Sequence, residues 1–422
     1  MFDVDKPALG ALVGPRTVEE FFAGYWPDKT TCFVSEGDPE RLPDSLRSKE
    51  LSSLKALWRV NRGRVAFTNG PKSSYMLPVD NAHASNLYDM GLTIFFDNIT
   101  SCVPDADSFV RQLEMDLGIR QGSARLTAWI SPKENGTACH YDANDIISIQ
   151  LQGTKHFEVA PVTEVSAPYG MQYSPESGPP GEDLYPQMTK GFPRWENAKF
   201  DTIEMKPGTV LFFHRGTWHR TYASTDSLAV SIVMDPPTAA ECVLEQLRML
   251  MIQDPRWRKP IYGAWGTAEQ RQMALAEVAG LIQDIPKIGR ALSPQDVILP
   301  TLSLEERITL IDRNSRFQRV PTAQISAEQQ PESDNEALQL IQIIGADADG
   351  VQQKLLTIKI PRQYIDIVKW IAEQNMPFYA HAMESKFPEV PFDDQKRLLE
   401  VCVRGGLLAL LWFPSLNDDA AL

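Results

Sequence analysis

The chain has 422 residues, of which 43% are hydrophobic and 23% are charged, so it is long enough for two or three domains with buried cores and is not intrinsically disordered. Its 55 acidic and 41 basic residues give a formal net charge of -14, which disfavours the binding of naked nucleic acid. The five cysteines lack paired metal-ligand spacing, and no apolar run reaches the roughly 18 residues that span a bilayer. We therefore expect a soluble, cytoplasmic protein without nucleic-acid or membrane partners.

The first 235 residues predict short strands joined by turns. A capping-box pattern at residues 17–20 begins a helix that Pro27 ends, and further helices are predicted at 48–60 and 105–117. The predicted strands cover 64–68, 92–96, 125–130, 156–160, 202–205, 210–213 and 228–233. Many short strands separated by Gly- and Pro-containing turns indicate a sandwich or a barrel, and the mouths of jelly-roll barrels of the cupin kind can hold metals.

Two distant segments of this region predict a metal site. His140 and Asp142 are two residues apart, a spacing that places both side chains on one face of a strand. A Pro-Gly turn and an apolar run at 209–213 precede His219, which supplies a third ligand. Two imidazoles and one carboxylate leave open positions on Fe(II), as in non-haem oxygenases. His214 is the competing distal histidine, and a structural role is the competing interpretation of every histidine.

Lys155 and Thr137 are the candidate co-substrate residues. Apolar and polar residues alternate from 147 to 152, and Gly153 and Thr154 make a turn before Lys155. If the strand that begins at Lys155 is antiparallel to the ligand-bearing strand, its ammonium points into the same barrel, where a buried cation needs an anion such as a dicarboxylate. Thr137 can donate its hydroxyl to the same carboxylate. The competing interpretation is a surface lysine on a hairpin.

The rest of the chain predicts a loop and two further domains. Residues 160–200 are rich in Pro, Gly, Tyr and Ser, and we expect this loop either to help hold substrate at the mouth of the site or to be a solvated spacer. Helical periodicity predicts a helical unit at 236–320, followed by a polar linker at 321–335. Residues 336–422 predict a winged-helix-like module, whose excess of acidic side chains favours packing or partner binding over DNA binding.

Over residues 10–235 the chain resembles the cupin-like branch of the JmjC family of Fe(II)- and 2-oxoglutarate-dependent oxygenases. The resemblance runs from Phe-Phe-Ala-Gly-Tyr-Trp-Pro at 21–27 to Gly-Thr-Trp-His at 216–219. It implies the α+β class, with a double-stranded β-helix as the catalytic domain at 1–235. It also implies Fe(II) as cofactor, 2-oxoglutarate and O2 as co-substrates, and succinate and CO2 as products.

The resemblance implies a role for each candidate residue. His140, Asp142 and His219 correspond to the iron ligands of the family. Lys155 corresponds to the residue that binds the distal carboxylate of 2-oxoglutarate, and Thr137 to a threonine that assists it in some members. No general acid or base need then be sought among the remaining carboxylates.

The domain order resembles that of the ribosomal oxygenases, which hydroxylate ribosomal proteins and dimerise through the helical unit. We therefore expect hydroxylation of a peptide or protein side chain, by a homodimer. One residue departs from the pattern, because bacterial ribosomal oxygenases carry asparagine ten residues after the distal histidine and this chain has Ala229. Hydroxylation of a free amino acid or other small metabolite, demethylation of a methylated nitrogen, and a metal-binding cupin without 2-oxoglutarate turnover are the alternatives.

Overall fold

The computed structural model divides the chain into two compact units, Met1–Pro237 and Thr238–Leu422. Neither contains, among the residues that the structure describes, a helix long and apolar enough to cross a membrane. The described residues are 7–27, 29–61, 65–70, 76–170, 172–176, 180–188, 190–302, 304–329, 338–346, 352–361 and 364–411.

The described residues of the first unit form two antiparallel sheets. Its strands are β1 (Phe33–Val34), β2 (Val65–Thr68), β3 (Leu77–Val79), β4 (Thr93–Phe96), β5 (Ala124–Ser131), β6 (Gly136–His140), β7 (Asp145–Gln152), β8 (Lys155–Pro161), β9 (Asp201–Met205), β10 (Val210–Phe213), β11 (Thr217–Ala223) and β12 (Ser227–Met234). The larger sheet has the order β1-β10-β7-β12-β5-β4-β2-β3, and the smaller has the order β6-β11-β8-β9. From β5 to β8 and from β9 to β12 the chain alternates between the sheets, as in a double-stranded β-helix. The predicted α+β class with a jelly-roll catalytic domain is confirmed.

Helices cover one face of the larger sheet. They are α1 (Pro7–Val13), α2 (Val18–Gly24), α3 (Leu54–Val60), α4 (Asn81–Asp89) and α5 (Ala106–Leu117). The predicted capping box is present, because the Thr17 hydroxyl accepts a hydrogen bond from the Glu20 backbone N–H and the Glu20 carboxylate accepts one from the Thr17 N–H. Side chains alternate along β5, so that Leu126, Ala128 and Ile130 belong to the same core cluster as residues of these helices. The side chains at the alternate positions of β5 face the smaller sheet.

In the part of the second unit that the structure describes, helices come first, and strands of two three-stranded sheets and further helices follow. The first helices are α6 (Ala239–Met251), α7 (Pro255–Arg258), α8 (Ala268–Arg290), α9 (Pro294–Ile298) and α10 (Leu304–Thr309). The strands are β13 (Arg316–Arg319), β14 (Gln324–Gln329), β15 (Leu338–Ala346), β16 (Gln352–Pro361), β17 (Phe378–Tyr379) and β18 (Leu408–Leu411), with the sheet orders β17-β13-β18 and β14-β15-β16. The last helices are α11 (Ile365–Glu373), α12 (Ala380–Lys386) and α13 (Phe392–Arg404).

Two predicted boundaries in this unit are wrong. The segment predicted as a linker at 321–335 contains β14, which pairs along its whole length with β15, so backbone hydrogen bonding orders a stretch whose polar composition indicated a spacer. The boundary at residue 320 also fails, because β13 pairs with β18 and Phe317 lies in one core with Ile367 and Leu399. The winged-helix-like description of 336–422 stays a prediction.

Candidate metal centre

His140, Asp142 and His219 form a cluster at one edge of the smaller sheet. His140 ends β6 and lies opposite His219 on β11, so that strand pairing places the two imidazole rings 4.2 Å apart, centroid to centroid. The Asp142 Oδ2 atom lies 3.9 Å from His140 Nε2 and 3.6 Å from His219 Nε2. One ligand atom from each of the three residues can be chosen so that all lie within 4.8 Å of one another. The three side chains are therefore close enough to bind one metal ion together.

Backbone carbonyls fix the orientation of both imidazoles. The Nδ1–H of His140 donates to the carbonyl oxygen of Ala138 at 2.8 Å, and that of His219 donates to Thr217 at 3.0 Å. A carbonyl only accepts, so both rings carry their hydrogen on Nδ1 and present the lone pair of Nε2 to Asp142. Burial and the neighbouring His140 lower the pKa of His219 to about 4, which keeps that ring neutral and able to bind a metal at neutral pH.

His214, the competing distal histidine, lies outside this cluster. Its Nδ1 is 3.3 Å from the Asp145 carboxylate, and its Nε2 donates to the carbonyl oxygen of Tyr25 at 2.5 Å. Asp145 also accepts hydrogen bonds from the Arg215 backbone and guanidinium, and Asp145, which begins β7, thereby secures the turn between β10 and β11. That turn contacts the metal cluster through one hydrogen bond, from Gly216 N–H to the carbonyl oxygen of Asp142, 2.9 Å long. His214 thus supports the scaffold that carries the cluster.

A cavity of about 560 Å³ joins the cluster to Lys155. Lys155 begins β8 on the smaller sheet, is 2% exposed, and lines the cavity with its side chain. The structure shows no carboxylate within ion-pair distance of its ammonium among the residues it describes, and burial lowers the pKa of Lys155 to about 8. A buried cation without an anion is costly, so the site is chemically prepared for an anionic ligand.

Thr137 lies between the metal cluster and Lys155 and is paired with a residue that the sequence did not single out. The hydroxyl oxygens of Thr137 and Thr221 are 2.9 Å apart, and the Thr137 N–H donates to the same Thr221 oxygen. Only one hydroxyl hydrogen bridges the pair, which leaves the other free to donate to a ligand. Thr221 follows His219 by two residues on β11. This spacing places both side chains on one face of a strand, and it could have indicated from the sequence that Thr221 lies beside the site.

Residues of the 160–200 loop take part in the wall of the cavity. Gly170 and Gln172 line it, and Tyr173 forms an antiparallel bridge with Tyr141 beside the metal cluster. This arrangement supports the first of the two expectations for the loop, a position beside the site. The strands of the larger sheet and the residues next to their ends also contribute polar and aromatic side chains that the sequence did not single out: Phe95, Asp97, Arg125, Trp129, Asn144, Ser148, Ser231 and Asp235.

The comparisons with known proteins agree with this geometry. The family description "JmjC domain" matches residues 111–242, a span that contains all three residues of the cluster and Lys155. Residues 111–242 therefore form a JmjC domain. This domain makes the protein an Fe(II)- and 2-oxoglutarate-dependent enzyme, in agreement with the expected cofactor and co-substrate.

The relatives of this chain differ in length. The chain is 25% identical over 308 residues to the uncharacterized protein YxbC of Bacillus subtilis, a match that covers 70% of this chain and 92% of YxbC. It is 26% identical over 263 residues to ribosomal oxygenase 2 of Mus musculus and spans about half of that protein, 51%. A solved structure of the ribosomal oxygenase YcfD from Escherichia coli, in complex with cobalt and 2-oxoglutarate, aligns over 93% of this chain and 97% of its own, with 13% identity and a TM-score of 0.36.

The residues of this JmjC domain fit Fe(II). Two imidazoles whose Nε2 atoms face Asp142 and one carboxylate are a donor set suited to that ion, and the cluster lines the cavity. The ammonium of Lys155 has no carboxylate partner among the described residues, lines the same cavity, and fits the second carboxylate of a dicarboxylate co-substrate.

Proposed function

We propose that the protein is a dioxygenase that hydroxylates a side chain of a peptide or protein, with His140, Asp142 and His219 as the iron ligands. Lys155 and Thr137 bind the distal carboxylate of 2-oxoglutarate. One observation carries the proposal, namely that a three-ligand cluster and a buried ammonium without a described carboxylate partner face the same cavity. Neither feature lowers the free energy of the empty protein, and both are explained by a ligand that joins them.

When bound, Fe(II) with 2-oxoglutarate and O2 supplies the oxidising chemistry that replaces a C–H bond by C–O–H and yields succinate and CO2. The chain's own residues bind and orient the reactants. The Ala138 and Thr217 carbonyls hold the imidazoles in the ligand-binding tautomer. Lys155 and the Thr137–Thr221 pair anchor the far end of the keto acid, and the apolar wall from Phe157 and Phe213 limits access of water.

A macromolecular substrate is supported by the wall of the cavity and by the relatives. Polar side chains that line the cavity, among them Asn144, Gln172 and Asp235, offer hydrogen-bonding groups to an inserted side chain. The loop at 160–200 provides further surface beside the site for the flanking backbone. The name of the relative ribosomal oxygenase 2 refers to the ribosome, and we propose proteins of that kind as the substrate class of this chain.

We further propose a homodimer formed through the helices of the second unit, in the cytoplasm. Large apolar side chains of this region are exposed, including Trp265 at 86%, Tyr262 at 73%, Met273 at 69% and Leu244 at 63%. Exposed apolar groups of this size concentrated in one region mark protein interaction surfaces. All five cysteines are free thiols, which suits a reducing compartment.

Incubation with Fe(II), 2-oxoglutarate, O2 and ribosomal proteins from the source cell, followed by peptide mass spectrometry, tests the substrate class. The expected result is the gain of one oxygen atom on a single side chain, with one succinate released per modification. The variant His140→Ala is the matched control and should give neither product. Succinate release that ribosomal proteins leave unchanged, together with oxidation of free amino acids, would instead support the small-molecule alternative.

A further inference from the structure

We propose that Trp129 determines which dicarboxylate the cavity accepts, by forming the wall at the Lys155 end and so fixing the length of the acid. The inference rests on the proposed function, because it concerns the residue that receives the distal carboxylate. Trp129 has no role in that proposal. It lies on β5 of the larger sheet, across the cavity from the strands that carry Lys155 and the metal cluster.

The first step of the argument is the contact between the indole and the ammonium. The Lys155 Nζ atom lies 5.8 Å from the centroid of the Trp129 ring and 5.7 Å from that of Phe157. Both distances are within the range in which a ring face attracts a cation. Because the described residues place no carboxylate beside this ammonium, the two rings are its observed neighbours and define where its charge sits. Trp129 therefore positions the group that would receive the carboxylate.

The second step is that the indole is held in place. Trp129 lies opposite Phe95 in the pairing of β4 with β5, and the two ring centroids are 4.3 Å apart. On its other side it lies opposite Ala229 of β12, whose methyl group leaves space for the large ring. A bulky residue at 229 would compete for that space, so the small side chain at 229 and the large one at 129 are complementary in size.

The third step is the distance that the co-substrate must span. Lys155 and Val159 are four residues apart on β8, and Val159 lies opposite His219, so the Lys155 position is about 13 Å along the strand from the metal cluster. The lysine side chain covers part of this interval and the dicarboxylate covers the rest. With the ammonium held against a fixed indole, a longer acid would have to displace the ring, whereas a fitting acid would not.

Isothermal titration calorimetry with Mn(II) in place of Fe(II) tests the inference without turnover. The full-length protein is titrated with 2-oxoglutarate and with 2-oxoadipate, which is longer by one methylene. For the unchanged protein we expect 2-oxoglutarate to bind at least about tenfold more tightly, which is the usual effect of one methylene group on affinity in a pocket of fixed shape. Trp129→Leu should reduce this ratio to near unity, and Trp129→Phe, which keeps a smaller ring, should give an intermediate ratio.

Tyr222→Ala is the matched control, because Tyr222 is an aromatic residue on the outward phase of β11 and is 45% exposed. It should leave the ratio unchanged. A ratio in Trp129→Leu equal to that of the unchanged protein, with both acids still bound, would overturn the inference and leave the proposed function intact. If the unchanged protein binds neither acid, the proposed function itself fails, and the inference with it.

Discussion

At the scale of single residues, Lys155 connects stability, pH and function. Burial lowers the pKa of its ammonium to about 8, so the free protein loses this positive charge as the pH rises through that value. We therefore expect the affinity for 2-oxoglutarate to be highest below about pH 8 and to fall above it. Calorimetric titrations from pH 6.5 to 9.5 measure this, and Lys155→Arg, which keeps its charge over the whole range, should abolish the fall near pH 8.

The buried Lys155 ammonium should also lower the free energy of unfolding. The pKa of Lys155 in the folded protein is below its usual value of 10.5, so the unfolded chain binds more protons between about pH 8 and 10.5. The loss of folding stability that this lysine causes is therefore largest below about pH 8 and disappears as the pH rises to about 10.5. Lys155→Met should therefore raise the free energy of unfolding at pH 7 by roughly 2–3 kcal/mol while abolishing 2-oxoglutarate binding. Urea denaturation at pH 7 and at pH 10.5 measures the gain, which should shrink at the higher pH. A less stable variant at pH 7 would contradict this interpretation.

The choice between the two distal histidines is also made at this scale. His219 presents Nε2 to Asp142, whereas both ring nitrogens of His214 have partners in Asp145 and the Tyr25 carbonyl. His219→Ala should abolish tight metal binding with little loss of folding. His214→Gln should lower stability by about 1–2 kcal/mol and retain one metal ion per chain. Metal analysis after gel filtration distinguishes these results, and retained metal in His219→Ala would show that His214 is the ligand.

At the scale of elements, the approach of β6 to β11 holds the cluster together. A Cβ atom on Gly136 would lie 1.9 Å from the backbone oxygen of Thr221, so only glycine permits this pairing. Gly136→Ala should push β6 away from β11, separate His140 from His219, and weaken metal binding by at least about tenfold. Gly181→Ala, where a Cβ atom has no neighbour within 4 Å, is the control. Equal metal affinity in the two variants would show that the strand pairing does not set the ligand geometry.

The elements also show how far the sequence could predict this molecule. The spacing of His140 and Asp142, and the Pro-Gly turn and apolar run that precede His219, were readable, because metal ligands are few in type and a strand repeats every two residues. Thr221 and Trp129 were missed, because their importance depends on which strands pair and in what register, which the local pattern does not encode. The linker prediction failed at β14 for the same reason, since its partner β15 supplies the hydrogen bonds.

At the scale of the whole molecule, the exposed apolar residues of the second unit predict self-association. Trp265→Asp combined with Leu244→Asp should convert a dimer into a monomer, because a charge in an apolar interface loses its hydration without gaining a partner. Light scattering coupled to size exclusion measures the mass. Met90→Asp, at a 75% exposed position in the first unit, is the control and should leave the dimer intact. A monomer in the unchanged protein would remove the dimer proposal.

The central claim is that one cavity binds iron at the cluster of His140, Asp142 and His219 and the keto acid at Lys155. Anaerobic titration of the purified protein with Fe(II) and then 2-oxoglutarate tests it most directly, by the visible charge-transfer absorption that chelation of the keto acid to the metal produces. We predict that the absorption appears with one equivalent of each, disappears in Asp142→Ala, and requires much more 2-oxoglutarate in Lys155→Ala. Iron binding without the absorption would contradict the claim and favour a metal-binding cupin.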